Sequence, residues 1–551
     1  MAEAPDLRTR IAIAQVDLLV GDIEGNCQRV IDEAERARDE LGAAAVVFPE
    51  LTLCGYPPED LLLRPALHER VERALERLRR EVRGITLVVG HPHREHNLTF
   101  NSASVLHDGH TLGRYHKRHL PNYGVFDEKR YFSPGDRPCV VELGGLRVGI
   151  TICEDVWNPG PVCQAVEAGA EAILNLNASP FHLDKGRERE RALEDRIREA
   201  AVPIVYVNLV GGQDELVFDG ESFVMDGDGR VTQRAPAFLE ALLPVELSRI
   251  GGRVRPLPGA MAPVLSEEES AYRALVLGVR DYVEKNGFPG AVIGLSGGID
   301  SALTLAVAVD ALGAERVVGV SMPSRYTAEI SIEDARIEAE RFGCEFHILP
   351  IEPPFQAFLD TLSGLFAGLP ADTTEENIQA RCRGILLMAI SNKRGHIVLT
   401  TGNKSEMAVG YATLYGDMAG GFGVLKDVPK TLVYRLVEYR NSVSRVIPQR
   451  VVERPPSAEL APDQRDEDAL PPYAVLDPIL ERYVERDQCV EEIVAAGFDR
   501  ETVMKVVTMV DRNEYKRRQA PPGVRITSRA FGRDRRYPIT NGFGRHRGRP
   551  E

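Results

Sequence analysis

Residues 294–301 read Gly-Leu-Ser-Gly-Gly-Ile-Asp-Ser. The apolar run Ala291-Val292-Ile293-Gly294-Leu295 leads in and reads as a buried strand, and the run from Ser301 (Ala302, Leu303, Leu305, Ala306, Val309) reads as a helix. Between them, glycines let backbone N–H groups turn inward on an anion, and the helix N-terminus adds its positive dipole end. Such a loop cradles phosphate. It is not a Walker loop, because the Gly-Lys-Ser/Thr ending is missing. The Asp300 carboxylate offers a hard oxygen to magnesium. A second group of reactive side chains ends three strand-like runs of the first half: Phe48-Pro49-Glu50, Tyr115-His116-Lys117 and Thr151-Ile152-Cys153. A carboxylate can take a thiol proton and later activate water. An ammonium group lowers a nearby thiol pKa and steadies a tetrahedral oxyanion. Taken singly, each of these residues is ordinary, a strand cysteine being inert core more often than not.

These groups need elements to hold them. The first half alternates strand-like runs (11–16, 45–48, 86–90, 148–152, 172–176, 204–207) with helical ones, which predicts an α/β domain over residues 8–250. Residues 251–265 carry Gly251, Gly252, Pro256, Pro258, Gly259 and Pro263 and read as a linker. Ser266-Glu267-Glu268-Glu269 then opens a helix with capping chemistry. From 266 to 551 a second α/β domain is predicted, with strands at 291–295, 317–321 and 396–400. A doubly wound sheet of this kind holds its ligand at the strand C-termini. Residues 363–374 read as a loop near a reaction site. From Lys516 onward the chain is basic, with little expectation of regular structure.

At 551 residues the chain exceeds what one hydrophobic core usually spans. With 43% hydrophobic and 27% charged residues it has the composition of a soluble globular protein. No apolar run approaches membrane-spanning length, and the first residues lack secretory character. The eight cysteines show no C-x-x-C pair, which points to reduced thiols and a cytoplasmic setting. A net charge of −15 argues against general nucleic-acid binding. His91, His93 and His96 read as a solvated turn and not as a metal site.

Glu50, Lys117 and Cys153 together resemble the Glu-Lys-Cys triad of the nitrilase superfamily, whose members hydrolyse C–N bonds and fold as αββα sandwiches. The resemblance covers about residues 8–250. Asn122-Tyr123-Gly124-Val125-Phe126-Asp127-Glu128 continues the lysine motif as in the amidase members, and Asn177-Ala178-Ser179-Pro180-Phe181-His182 matches their pocket segment. The resemblance implies Glu128 as an auxiliary catalytic glutamate, and Tyr123, Ser179 and Lys185 as glutamine contacts. Ser-Gly-Gly-Ile-Asp-Ser resembles the loop of enzymes that cleave ATP to AMP and pyrophosphate on a Rossmann-like domain. Segments 374–383, 400–406, 411–417 and 426–431 extend that likeness to the NAD synthetase family, over about residues 266–551. By this resemblance Gly294, Leu295, Ser296, Gly297, Gly298, Ile299, Asp300, Ser301 and Thr401 bind ATP. Asn377, Glu406 and Lys516 contact deamido-NAD, with Asp417 and Lys430 as helpers, and Asp300 and Glu406 hold Mg2+. Both halves together are similar to the glutamine-dependent NAD synthetase family. Its reaction implies that glutamine-derived ammonia passes through a water-poor route to an acyl-adenylate, in a homo-oligomer with small-molecule partners (deamido-NAD, ATP and glutamine) and no nucleic acid or membrane.

Three other readings remain open on the residues alone. Amidating or thiolating ATP pyrophosphatases that act on GMP synthesis or tRNA share the 296–301 loop. The front domain could be a silent interaction module. The tail arginines (Arg525, Arg529, Arg533, Arg535, Arg536, Arg545, Arg547, Arg549) could meet nucleic acid, although no aromatic ladder or RNA motif accompanies them.

Overall fold

The computed structural model describes residues 7–462 and 464–543, and the chain divides into two compact units, 1–265 and 266–551. In the first unit, strict alternation along strands builds two cores at once. Ile11 and Ile13 of the strand Arg8–Gln15 join Val47, Val88, Ile150, Leu174 and Val205 in a cluster between two stacked sheets. Their neighbours Ala12 and Ala14 point the other way, against Val30 and Leu75 of the helices Ile23–Asp39 and Pro65–Glu81. One sheet has seven strands, in the order Arg253–Pro256, Ala241–Ile250, Arg8–Gln15, Ala45–Val47, Thr86–Glu95, Leu98–His107, His110–His116. The other has six, running from Val231–Arg234 through Phe223–Met225, Ile204–Asn208, Ala172–Asn177 and Leu146–Ile152 to Cys139–Leu143. Leu193 and Ile197 of the helix Lys185–Ala200 cover its outer face at Ile173, Ile204 and Tyr206. The result is the four-layered αββα sandwich.

The second unit is built on a five-stranded parallel sheet in the order Glu345–Ile348, Val317–Ser321, Ala291–Gly294, Ile397–Thr400, Phe422–Gly423. The chain leaves Ala291–Gly294 in one direction for two strands and then returns to its other side. That reversal makes the crevice beyond residues 294 and 400 the topological switch point of a doubly wound sheet. Val292, Val318 and Val398 pack on Phe355, Ile378 and Cys382 of the helices Glu352–Phe366 and Thr373–Arg394. A separate helical layer, Tyr473–Leu480, Val490–Ala495 and Arg500–Arg512, closes around Leu476, Ile479, Val503 and Val507.

The structure departs from the sequence expectations in four places. Residues 253–256 of the supposed linker form an edge strand, paired Ile250↔Arg253 to Leu247↔Pro256. Gly251 and Gly252, at φ +59° and +78°, supply the two positive-φ positions that a tight hairpin turn requires, and an edge strand tolerates Pro256. The expected loop 363–374 shrinks to 367–372, because the helix Glu352–Phe366 runs into it and Thr373–Arg394 begins inside it. His91 does not sit in a solvated turn. It is buried on the strand Thr86–Glu95, with Nε2 2.7 Å from the Ser104 hydroxyl and Nδ1 3.0 Å from the Pro92 carbonyl. Among the described residues the tail holds no long element, as expected, but three of its arginines are paired: Arg525 with Asp534, Arg529 with Asp487 and Arg535 with Glu514. Arg545, Arg547 and Arg549 lie outside the described residues. Among the described residues no helix is long and apolar enough to cross a membrane.

Candidate active sites

In the first unit the reactive groups follow strand C-termini. Glu50 comes after Ala45–Val47, Lys117 after His110–His116, Cys153 after Leu146–Ile152, and Ser179 after Ala172–Asn177. Glu50, Lys117 and Glu128 form one buried cluster. The Lys117 ammonium donates to Glu50 Oε1 at 2.7 Å and to Glu128 Oε1 at 2.8 Å. Tyr56 adds its hydroxyl to Glu128 at 2.9 Å. Ala178 N–H donates to Glu50 Oε2 at 3.1 Å and the Asn101 amide to Glu50 Oε1 at 2.6 Å. Burial would strip the charge from Lys117, but the Glu128 and Glu50 carboxylates hold its pKa well above the ordinary lysine value. Glu128 is pushed up to about 7 by burial, against the pull of Lys117.

Cys153 opens the 3-10 turn Cys153–Val156 with φ +43°, a left-handed conformation unusual for a side-chain-bearing residue and typical of strained functional turns. Asp155 fixes that turn. Its carboxylate accepts from Ile152 N–H, from the main-chain N–H groups of Arg118 and His119, and from the Tyr115 hydroxyl at 2.8 to 3.1 Å. The turn bearing the thiol is thereby tied to the residues just after Lys117. The thiol is not activated at rest: burial first, then the Glu50 charge, push its pKa well above the ordinary value, and Lys117 offsets this only in part. The thiol pKa therefore stays high despite the ammonium, and proton removal falls to a base.

The expected glutamine contacts surround this cluster. The Tyr123 hydroxyl donates to the Glu154 carboxylate at 3.0 Å, beside Cys153. Ser179 is held by the buried Arg189, whose Nε reaches its hydroxyl at 3.2 Å and whose Nη2 reaches its carbonyl at 2.8 Å, while Asp219 binds the same guanidinium at 2.7 and 2.8 Å. The Lys185 ammonium lies 4.1 Å from the centre of the Trp157 ring and 3.0 Å from Glu188. Burial lowers its pKa, against Glu188. Sequence pattern does not distinguish Asn101, Asp155 or Arg189. Each stands among other polar residues of its strand, turn or helix, and only burial marks it.

In the second unit a cavity of about 300 Å³ opens at the switch point, walled by Gly294, Ser296, Gly298, Asp300, Ser301, Thr401, Glu406, Asp417 and Lys430 among others. Gly297 is the loop residue that turns away. Its φ is +74°, and a Cβ there would lie 2.1 Å from the Ser331 carbonyl oxygen. The Ser301 hydroxyl pins the loop, donating to Gly298 O at 2.9 Å and accepting from Ser296 N–H at 3.3 Å. Asn403 ties two carboxylates together. Its Nδ2 donates to Asp300 Oδ1 at 3.0 Å, its Oδ1 accepts from Glu406 N–H at 3.0 Å, and Glu406 Oε2 accepts from Asn403 N–H at 3.2 Å. Lys430 is bonded to Asp300 and stands 3.7 Å from Glu406 Oε1. Burial first, then the Asp300 charge, push Glu406 up to about 8, against the pull of Lys430. Among the described residues no group of three or more His, Cys, Asp or Glu side chains could hold a metal by itself. The two hard oxygen donors fit a magnesium ion that brings phosphate and water ligands of its own.

Asn377 and Lys516 are not among the described residues lining that cavity. Asn377 accepts the Thr413 hydroxyl at 2.9 Å, and the Lys516 ammonium donates to Gly410 O at 2.8 Å and Ala412 O at 2.9 Å. Both therefore grip the 410–417 loop, from which Asp417 faces the cavity while accepting from Thr413 N–H at 2.6 Å. Arg383 and Arg454 supply further cations to the wall. Arg454 is fixed there by Gly297 O and the Ser331 hydroxyl.

Comparison with known proteins agrees with this division. A family model for carbon-nitrogen hydrolases matches residues 10–252, and one for NAD synthase matches residues 271–520. The glutamine-dependent NAD(+) synthetase of Acinetobacter baylyi is 51% identical over 97% of this chain and 98% of its own length. The solved structure of the Acinetobacter baumannii glutamine-dependent NAD+ synthetase, in complex with adenosine diphosphate, superposes with a TM-score of 0.79 at 49% identity, covering 97% of this chain and 99% of that one. A Cytophaga hutchinsonii structure of the same name shares the fold with a TM-score of 0.84 at 22% identity, over 98% of this chain and 99% of that one. With a carbon-nitrogen hydrolase unit in front and an NAD synthase unit behind, the chain belongs to the glutamine-dependent NAD(+) synthetase family.

Proposed function

We propose that the first unit hydrolyses glutamine at Cys153 and that the second uses the nitrogen to convert deamido-NAD to NAD at the expense of ATP. Glu50 takes the thiol proton as Sγ attacks the side-chain amide carbon, and passes it to the departing ammonia. Lys117 faces the developing oxyanion. Glu50 then activates the water that cleaves the thioester to glutamate. Tyr123, Ser179 and Lys185 hold the amino-acid end, and Glu128 keeps Lys117 charged.

In the second unit the deamido-NAD carboxylate attacks the α-phosphorus of ATP and pyrophosphate leaves. Ammonia displaces AMP from the acyl-adenylate. Residues 294–301 and Thr401 hold the ATP phosphates, and Asn377, Glu406 and Lys516 serve deamido-NAD directly or through the 410–417 loop. Asp300 and Glu406 would hold magnesium, which when bound offsets phosphate charge. The nitrogen must travel as neutral ammonia, since ammonium is no nucleophile. Eight free cysteines support a reducing, cytoplasmic setting. Exposed Phe358, Leu365, Leu369 and Ile385 on or between neighbouring helices support a homo-oligomer.

What carries the reading is the presence, in one chain, of a lysine-bridged carboxylate pair beside Cys153 and a second lysine-bridged pair beside the 295–301 loop. The experiment is a mass balance of glutamine consumed, pyrophosphate released and NAD formed, for wild type and Cys153→Ala. The variant should make NAD from ammonium salts and lose glutamine-supported synthesis by several orders of magnitude. Near wild-type use of glutamine would rule Cys153 out as the nucleophile.

A further inference from the structure

Asn101 sits on the strand Leu98–His107, fully buried. It holds two members of the cluster with two different groups. Its side-chain Nδ2 donates to Glu50 Oε1 at 2.6 Å, and its main-chain carbonyl accepts the Lys117 N–H at 2.8 Å. The amide orientation is forced, because the opposite one would set a carbonyl oxygen against a carboxylate.

A carboxylate has about four lone-pair positions. In Glu50, Oε1 accepts from both Asn101 and Lys117, and Oε2 accepts from Ala178 N–H. Three positions are filled, and one on Oε2 is left to receive a proton. The other end of the Asn101 amide is less well served. Its Oδ1 is buried with no hydrogen-bond partner among the described residues. An apolar side chain of the same shape would remove that unsatisfied acceptor but would also take a donor from the buried Glu50 carboxylate, which costs stability. What such a side chain could not do is hold Oε1.

We propose that Asn101 is a positioning residue of the amide-cleaving site, locking the Glu50 carboxylate so that a single Oε2 lone pair serves the Cys153 thiol. The proposal rests on the reading of Cys153 as nucleophile and Glu50 as its base. Without Asn101, Oε1 regains a free lone pair and the carboxylate loses one of the donors that stop it from turning.

The test uses the full-length protein with Asn101→Leu, Asn101→Asp and Cys153→Ala. In Asn101→Leu, kcat with glutamine should fall roughly 10- to 150-fold, as for one charge-assisted hydrogen bond, while KM for glutamine stays within about threefold. NAD synthesis from ammonium should stay within about twofold, and the thermal transition of the first unit should fall only modestly, because Glu50 Oε1 loses one donor and keeps Lys117. Asn101→Asp can donate to Glu50 only when its new carboxyl is protonated, so its glutamine activity relative to wild type should climb as pH falls. A near wild-type kcat in Asn101→Leu, or a loss confined to KM, overturns the proposal. If Asn101→Leu folds poorly, a pH-independent ratio in Asn101→Asp overturns it instead. If Cys153→Ala keeps its glutamine activity, the failure belongs to the reading of the site and not to Asn101 alone.

Discussion

Replacing Lys117 by methionine tests the first site at its electrostatic centre. The side chain is buried, and its ammonium makes two short contacts, 2.7 Å to Glu50 and 2.8 Å to Glu128. Methionine keeps most of the volume and leaves two buried carboxylates facing each other. Breaking a buried ion pair from one side costs about 3–5 kcal/mol. A folded domain holds about 5–15 kcal/mol of stability, so the unit should remain folded but weakened. At about 2–4 °C per kcal/mol for a unit of this size, its transition should drop roughly 6–20 °C. The assay is built into the chain. The sequence has one tryptophan, Trp157, in the turn after Cys153, so its fluorescence reports the first unit alone. The deficit must also depend on pH. The Glu128 pKa stands at about 7, above the ordinary carboxylate range, so its contribution to stability is full in acid and is lost as pH rises through that value. Lys117 pulls Glu128 down, and its removal lets the pKa climb further. The gap to wild type should therefore widen from about pH 5.5 to about pH 8. Glutamine-supported synthesis should fall about 100- to 1,000-fold, as for loss of an oxyanion donor, with ammonium-supported synthesis intact. An unchanged Trp157 transition together with near wild-type use of glutamine would refute the charged cluster and the role of Lys117 in it.

Gly297→Ala forces a Cβ to within 2.1 Å of the Ser331 carbonyl at a φ of +74°. Pyrophosphate release should drop at least about tenfold with either nitrogen source while glutamine hydrolysis persists, and a wild-type rate of pyrophosphate exchange would count against the loop as the phosphate cradle. Asp300→Ala should abolish adenylation with glutamine or ammonium, because it takes away the carboxylate bonded to Lys430 and removes one hard oxygen donor. Normal pyrophosphate release by that variant at low magnesium would sink the metal assignment. Lys516→Ala frees the carbonyls of Gly410 and Ala412 and should lower kcat/KM for deamido-NAD roughly 10- to 150-fold, with smaller effects for ATP and glutamine. Equal small changes for all three substrates would return Lys516 to a purely structural role.

Much of this architecture can be read from local pattern. Strand, glycine loop and helix at 291–312 are contiguous, and the alternation Ile11-Ala12-Ile13-Ala14 states which side chains face which layer. Residues 253–256 escape the same reading, because a strand of four with glycines before it and prolines after it has the composition of a linker, and only its pairing with 247–250 decides. The sites divide the same way. Glu50, Lys117 and Cys153 carry reactive groups in recognisable motifs. Asn101, Asp155, Arg189 and Asn403 act through hydrogen bonds to residues far away in sequence, such as Asn403 to Asp300, and no spacing rule connects them. The charge of Lys117 is legible, but its balance against burial at Cys153 is not, because burial is a property of the whole fold.

The helix Lys404–Val409 bears Glu406, and behind it Lys404 is buried among Glu485, Asp427, the Thr527 hydroxyl and the Arg529 carbonyl. Asp427 in turn accepts the main-chain N–H groups of Ile526 and Thr527. The wall of the nucleotide cavity is thus completed by residues made more than a hundred positions after it. A nascent chain can close its sheet early and pair Lys404 with Asp427 and Glu485, yet Lys404 lacks the Thr527 hydroxyl and the Arg529 carbonyl, and Asp427 lacks two main-chain donors, until residues 526–529 leave the ribosome. Folding of the second unit is therefore complete only once the 526–529 segment docks, so the support behind Glu406 is the last part of that wall to form during synthesis.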